Sequence, residues 1–129
     1  MKKETRRWVE KAEEDYNGAL NLEKLKARYH DLVCFHCQQA AEKYLKAFME
    51  ERSVPIPKTH NLHELLMRLL PHDASLKSLR RGLLTLSRFA VEYRYPGENA
   101  TKRDAQSSLR KAERIRRELR KRLGLRTPP

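Results

Sequence analysis

The chain has 129 residues, 39% hydrophobic and 36% charged with only 4 Gly, which suffices for one core but not two and favours a helix-rich domain over a sheet protein or a disordered chain. No apolar run approaches the about 20 residues needed to cross a bilayer, and the Lys-rich start leads into Trp8-Val9-Glu10-Lys11 instead of an apolar signal core, so a cytoplasmic protein without membrane association is expected. The formal charge of +12 points toward an anionic partner, because Lys and Arg arrays attract phosphates, although a solvated surface accounts for net charge equally well.

Apolar spacing predicts a first helix from Thr5 to Leu25, with Trp8, Ala12, Asp15, Ala19 and Leu22 on its inner stripe. Asp15 is the odd member: an acid there either sits at the rim of the core or pairs with a base from another helix. A short basic connection, Lys24 to His30, implies an antiparallel partner. The second helix, Asp31 to Glu51, places Val33, Cys37, Ala40, Ala41, Tyr44, Leu45 and Phe48 on one face, with Asp31 as expected N-cap and Gln38, Gln39, Glu42, Lys43 and Lys46 along the edges of that face.

Two prolines at alternate positions make Arg52 to Lys58 a stiff loop. Thr59 then offers an N-cap for a short helix from His60 to Leu70, carrying Leu62, Leu65, Leu66, Leu69 and Leu70 inward and ending at Pro71. A fourth helix starts near Ala74 and runs to about Tyr93 with Leu76, Leu79, Leu83, Leu86, Phe89 and Ala90 inward; Pro96 and Gly97 break the chain after it. The last helix, Thr101 to Leu123, buries Ala105, Leu109, Ala112, Ile115 and Leu119, and Gly124 to Pro129 reads as a frayed tail. The expected architecture is all-α, an antiparallel up-and-down bundle of four long helices plus a short one, in a single domain over residues 1–123.

Cys34 and Cys37 lie three positions apart, where a disulfide on one helix would be strained, so a reducing compartment is expected. His30, Cys34 and Cys37 share a helical face, but zinc sites draw ligands from two segments and there is no second Cys pair. Small core cysteines are therefore the default, and no metal or other cofactor is expected.

The run Cys34-Phe35-His36-Cys37-Gln38-Gln39-Ala40-Ala41-Glu42-Lys43-Tyr44-Leu45-Lys46-Ala47 resembles the signature helix of the higher-eukaryote and prokaryote nucleotide-binding (HEPN) domains. Three further pieces follow that family's order: an opening helix with Trp8, Ala12, Asp15 and Ala19, the Thr59-His60-Asn61-Leu62 helix start, and Val91-Glu92-Tyr93-Arg94-Tyr95-Pro96. The resemblance implies a homodimer with each Arg94 region near the two-fold cleft. It also implies a nucleotide- or RNA-phosphate-binding module, partnered by a separately encoded minimal nucleotidyltransferase in a toxin–antitoxin-like pair.

The best candidate site gathers Arg94 and Tyr95 with the polar edge of the second helix, Glu42, Lys43 and Lys46, and with Asp15. A guanidinium at a helix end presents a forked donor to phosphate, and Tyr95 can stack on a base or supply a hydroxyl. Arg94 pairing with Glu42, Glu92 or Asp15 is the structural alternative. Many proteins of the resembling family are metal-independent ribonucleases in which an Arg is followed, after four to six residues, by a His that moves a proton near neutral pH. Here Tyr95-Pro96-Gly97-Glu98-Asn99-Ala100-Thr101 contains no His, so a ribonuclease would need a non-standard set, Arg94 with Tyr95 or His60.

His60 is expected in the first turn of a helix, where the dipole favours the neutral ring, while His63 and His72 read as surface residues. Glu13-Glu14 and Glu50-Glu51 read as solvated surface, and no Gly-rich phosphate loop, GxSxG or HExxH is present. The last helix supplies a second anionic-ligand candidate in Arg114, Arg116, Arg117, Arg120 and Lys121; without interleaved aromatics it suits phosphate tracking or an acidic protein better than base readout. A structural dimerisation module whose basic surface keeps it in solution is the competing reading from another class.

Overall fold

A computed structural model describes residues 1–25 and 28–127, so Lys26 and Ala27 of the expected basic connection lie outside the described residues. Within them the chain forms α1 (Lys3–Glu23), α2 (His30–Glu51), α3 (Leu62–Leu69), a 3₁₀ segment (Ala74–Leu79), α4 (Arg80–Glu92) and α5 (Lys102–Arg122), and no strand. The start of α1 meets the end of α2, where Thr5 Oγ1 donates to Glu51 at 2.9 Å, and Asp15 meets His36 at 2.8 Å midway, so the two run antiparallel. α4 and α5 are likewise antiparallel: Tyr93 donates to Asp104 at 2.7 Å at one end and Gly82 faces Lys111 and Ile115 at the other. The bundle is therefore the expected up-and-down arrangement, with α3 as the short addition.

α2 is the hub and packs against all four other helices. Its expected inner residues, Val33, Cys37, Ala40, Ala41, Tyr44, Leu45 and Phe48, are all buried, but so are Cys34, Gln38, Glu42, Lys46, Ala47 and Met49, so the helix is enclosed on nearly every side. α1 is rotated from its expected register. Thr5, Val9, Ala12, Tyr16 and Ala19 form the buried stripe, whereas Trp8 and Leu22 pack at its flank. Trp8 and Val9 begin neighbouring helical rows; Trp8 lies at the flank under Lys46 Nζ, 5.7 Å from its ring, while Tyr16 turns inward beneath the Arg116 guanidinium.

Several ends differ from expectation. Asp31 does not cap α2; its carboxylate instead accepts from the Ala100 N–H at 2.7 Å, tying the start of α2 to the entry of α5. The cap of α3 is Asn61, whose side chain accepts from Glu64 N at 3.1 Å, while Thr59 Oγ1 accepts from Asn61 N at 3.1 Å. His60 thus precedes the helix instead of standing in its first turn. Residues 74–79 form a tight 3₁₀ approach to α4, held by Asp73, which accepts from Ser75 N at 3.0 Å. α5 begins with a reciprocal capping box between Thr101 and Asp104.

Beyond α5, Gly124 adopts φ +74°, a left-handed conformation suited to glycine, and Leu125 N–H returns to Arg120 O at 2.8 Å. Leu125 packs against the core and the Arg126 carbonyl accepts from Arg120 at 2.7 Å, so the start of the segment expected to fray is drawn back onto the bundle; Pro128 and Pro129 lie outside the described residues. Replacing Ala41, 1% exposed in the middle of α2, with Trp is expected to overpack the core by about 1–3 kcal/mol. Thermal melting checks this, and an unchanged midpoint would place Ala41 off the packed face.

Candidate functional site

The end of α4 and the start of α3 converge on the early turns of α2 to form a groove of about 550 Å³. Arg94, Val91, Ala90, Ser87 and Leu84 line it from the α4 side, His60, Asn61 and His63 from the α3 side, and Gln38 from α2. The polar groups come from segments far apart in sequence, and no carboxylate lines the groove among the described residues. Arg94 is exposed and makes no side-chain ion pair among the described residues, so none of Glu42, Glu92 and Asp15 holds it. The Ser87 hydroxyl is buried without a hydrogen-bond partner among the described residues, which leaves one polar group in the wall unsatisfied.

Beneath this groove lies Glu42, only 4% exposed. It accepts from Lys46 Nζ at 3.1 Å and from His60 Nδ1, which lies 3.1 Å from each of its oxygens. Gln38 Nε2 also donates to the His60 backbone carbonyl at 3.1 Å. The imidazole is thus fixed through backbone and ring, yet its side chain is 80% exposed. A ring whose Nδ1–H is donated to a carboxylate presents Nε2 outward, as an acceptor when neutral and a donor when protonated. Lys46 is 8% exposed and lies 5.7 Å above the Trp8 ring, so it serves Glu42 and the core and does not reach a ligand.

The structure divides the remaining expected site residues. Arg94 and His60 share the groove, and Glu42 supports it from below. Tyr95 points elsewhere: it is 63% exposed and does not line the groove. Asp15 pairs with His36 at 2.8 Å and, closely, with Lys43, so the acid on α1 is satisfied by bases on α2, and neither Asp15 nor Lys43 belongs to the groove. His63 and Ser87, read from sequence as surface or left unremarked, are groove residues; only the packing of α3 against α4 brings them together. Both cysteines are buried and free, and burial pushes the Cys34 thiol up to about 11 and Cys37 higher still, as expected for inert core thiols.

The HEPN domain model matches residues 5–122, and the chain belongs to the HEPN family. Two solved structures share the fold. ST0689, an archaeal HEPN homologue, is 24% identical with a TM-score of 0.75, over 95% of this chain and 99% of that one. TT1696 from Thermus thermophilus is 26% identical with a TM-score of 0.78, over 91% of this chain and 96% of that one. The comparison with curated proteins gave no match. No helix among the described residues is long and apolar enough to cross a membrane.

On the far side of α2, two residues expected on a basic surface turn inward. Arg116, 8% exposed, forms a forked pair with Glu13 at 2.6 and 2.8 Å and stacks over the Tyr16 ring. Arg120 lies 3.6 Å from Glu13, donates to Tyr44 Oη at 3.2 Å and to the Arg126 carbonyl at 2.7 Å, while the Tyr44 hydroxyl itself donates to Glu13. Glu13, expected as solvated surface, is therefore the hub of a cluster joining α1, α2 and α5. Burial opposes its ionisation, but the hydrogen bonds from Arg116 and Tyr44 and the nearby guanidinium charges outweigh that and hold its carboxyl below the usual range. A depressed carboxyl adds stability that is full above about pH 4.3 and is lost as pH falls through the folded value. Arg116→Met is accordingly expected to cost about 1.5–3 kcal/mol near neutral pH, because Glu13 loses its forked partner and keeps only Tyr44 and Arg120. In urea unfolding across pH, the difference from the wild type should shrink under acid conditions; a pH-independent difference would mean that packing, not the ion pair, carries the cost.

Proposed function

We propose that this protein is a HEPN module that binds the phosphate of a nucleotide or RNA in the groove between α2, α3 and α4. It acts as a homodimer alongside a separately encoded minimal nucleotidyltransferase, in a toxin–antitoxin-like pair. The observation that carries the binding reading is the convergence of an uncommitted guanidinium, Arg94, with His60 and His63 in one groove that no carboxylate lines. A forked donor flanked by imidazole and amide donors matches the oxygens of a phosphate, and the volume lies within the range of about 300–1,000 Å³ usual for small-ligand sites. The apolar wall of Leu84, Ala90 and Val91 gives a base or ribose a surface to cover. The strongly basic chain favours an acidic partner through complementary charge.

A second reading is favoured by the Glu42–His60 contact. RNA cleavage without a metal needs one group to take the 2′-hydroxyl proton, one to return a proton to the leaving oxygen, and a cation to stabilise the pentavalent phosphate. His60, held by Glu42 with Nε2 free, can perform the first role, His63 the second, and Arg94 the third. This assembles from separate segments what the family's contiguous Arg and His pair supplies within one.

Equilibrium binding of ATP and of labelled oligouridylate to wild type and Arg94→Ala tests the first reading. The variant is expected to bind about tenfold or more weakly, since a charge-assisted hydrogen bond contributes about 1.5–3 kcal/mol, and to melt like the wild type. Unchanged binding would remove Arg94 from the ligand site. Single-turnover cleavage separates the second reading: rapid cleavage lost by about 10²-fold or more in His60→Ala and reduced in Glu42→Gln would establish the ribonuclease, whereas no cleavage leaves the binding module.

A further inference from the structure

The bases of α5 fall into two populations. Arg116 and Arg120 are drawn into the Glu13 cluster, Arg122 bonds Asp73 and Glu118 at 3.0 and 2.8 Å, and Arg117 pairs with Glu113 at 3.4 Å. Lys102, Arg103, Arg110, Lys111, Arg114 and Lys121 make no ion pair among the described residues, and Arg103, Arg110, Arg114 and Lys121 among them are exposed along one side of the helix. At 3.6 residues per turn these four fall within about 40° of one another, a single row running about 27 Å along the helix.

Beside this row, α4 and α5 leave a groove of about 210 Å³ lined by Arg81, Lys111 and Arg114 over a floor of Leu79, Gly82 and Ile115. Gly82 keeps the floor low, because its missing side chain would stand against the Lys111 stem and Ile115, 3.8–4.0 Å away. Lys111 Nζ donates to Ser107 Oγ at 2.9 Å, which holds the ammonium in place without neutralising it. No carboxylate lines the groove, and Glu118, whose carboxyl feels the Arg114 and Lys121 charges, is paired with Arg122, so a ligand that brings negative charge relieves the remaining repulsion.

We propose that the α4–α5 groove, with the outward row of α5, is a second anion site that tracks the phosphodiester backbone of a nucleic acid. The volume is below the about 300 Å³ at which small-molecule pockets begin, so the groove fits one segment of an extended polymer better than an enclosed nucleotide. Nothing aromatic lines it, which removes base stacking and makes contact independent of sequence. A ligand carrying one charge per repeat unit matches a row of bases along the helix, whereas a folded acidic partner would need carboxylates spaced over the same length. The site stands on the opposite flank of α4 from the Arg94 groove and does not depend on the reading given to that groove.

The test is the salt dependence of labelled oligouridylate binding to full-length protein. Each phosphate contact on a single strand contributes about 0.7 to the slope of log affinity against log salt, so Arg81→Gln/Arg114→Gln is expected to flatten the slope by about 1.4 and weaken binding at low salt. The charge-matched control Lys3→Gln/Lys58→Gln, at exposed positions away from the groove, should leave the slope near the wild-type value. Equal flattening in the control would reduce the effect to diffuse charge and overturn the site, as would an unchanged slope in the groove variant. Failure of RNA to bind at low salt, with polyglutamate bound through Arg81 and Arg114, would assign the groove to an acidic protein and also overturn it. Lys111→Gln repeats the measurement should the double variant melt early. Binding lost in Arg94→Ala but kept in the groove variant would leave the first groove standing alone, and the opposite result would leave this one.

Discussion

A helix buried on nearly all sides must satisfy every polar side chain it carries from within the protein, and besides the Tyr44 hydroxyl, which meets Glu13 and Arg120, α2 buries Gln38, Glu42 and Lys46. Leaving any of them unpaired would cost a large part of the stability of a domain this small. Their partners come from the loop ahead of α3 and from α2 itself. Gln38 takes the His60 carbonyl, and Glu42 takes His60 Nδ1 and Lys46. The same contacts that make the core tolerable thus fix the position of a histidine at the mouth of a groove. Structure and candidate chemistry share one set of hydrogen bonds here, and this is why Glu42 cannot be read as either a core residue or a site residue alone.

The charge distribution follows the same logic on a larger scale. A net charge of +12 suggests a uniformly basic surface, but the guanidinium groups with half-buried acids to meet are removed from it. Glu13 gathers Arg116 and Arg120, while Asp73 and Glu118 gather Arg122. Among the bases that remain outward, Arg94 stands at one groove of α4 and Arg81 and Arg114 at the other. Forked pairing suits arginine at the inner positions, where two parallel hydrogen bonds offset the loss of water better than a lysine point charge would.

Much of this fold is legible from apolar spacing. The helices, the inward leucines of α3 and α4, and the core face of α2 follow from residues three and four apart. What spacing does not resolve is which of two adjacent rows wins when both are amphipathic, as with Trp8 against Val9 and Tyr16 on α1, or whether an arginine on a helix flank meets an acid from another helix, as Arg116 meets Glu13. Both depend on the rotation of neighbouring helices, a tertiary quantity. Caps are similarly ambiguous: Asp31 uses its carboxylate on the distant Ala100 N–H, and Thr59 uses its hydroxyl on the Asn61 N–H just ahead of the helix. The groove itself is only half visible: residue type singles out Arg94 and His60, but their meeting, with His63 and Ser87 beside them, requires the chain to fold.

The turn between α4 and α5 is fastened at both ends. Tyr93 is held by Asp104 and Ala100 by Asp31, while Gly97, at φ +89°, allows the reversal between them. The bundle therefore ends in a strung bridge whose piers are set in three helices and whose span carries little of the load. Closure entropy changes slowly with loop length, so residues can be gained or lost between Tyr95 and Asn99 with small cost to folding. Arg94 stands at the foot of that bridge, which gives evolution a place to alter what approaches the guanidinium while the helices that aim it stay fixed.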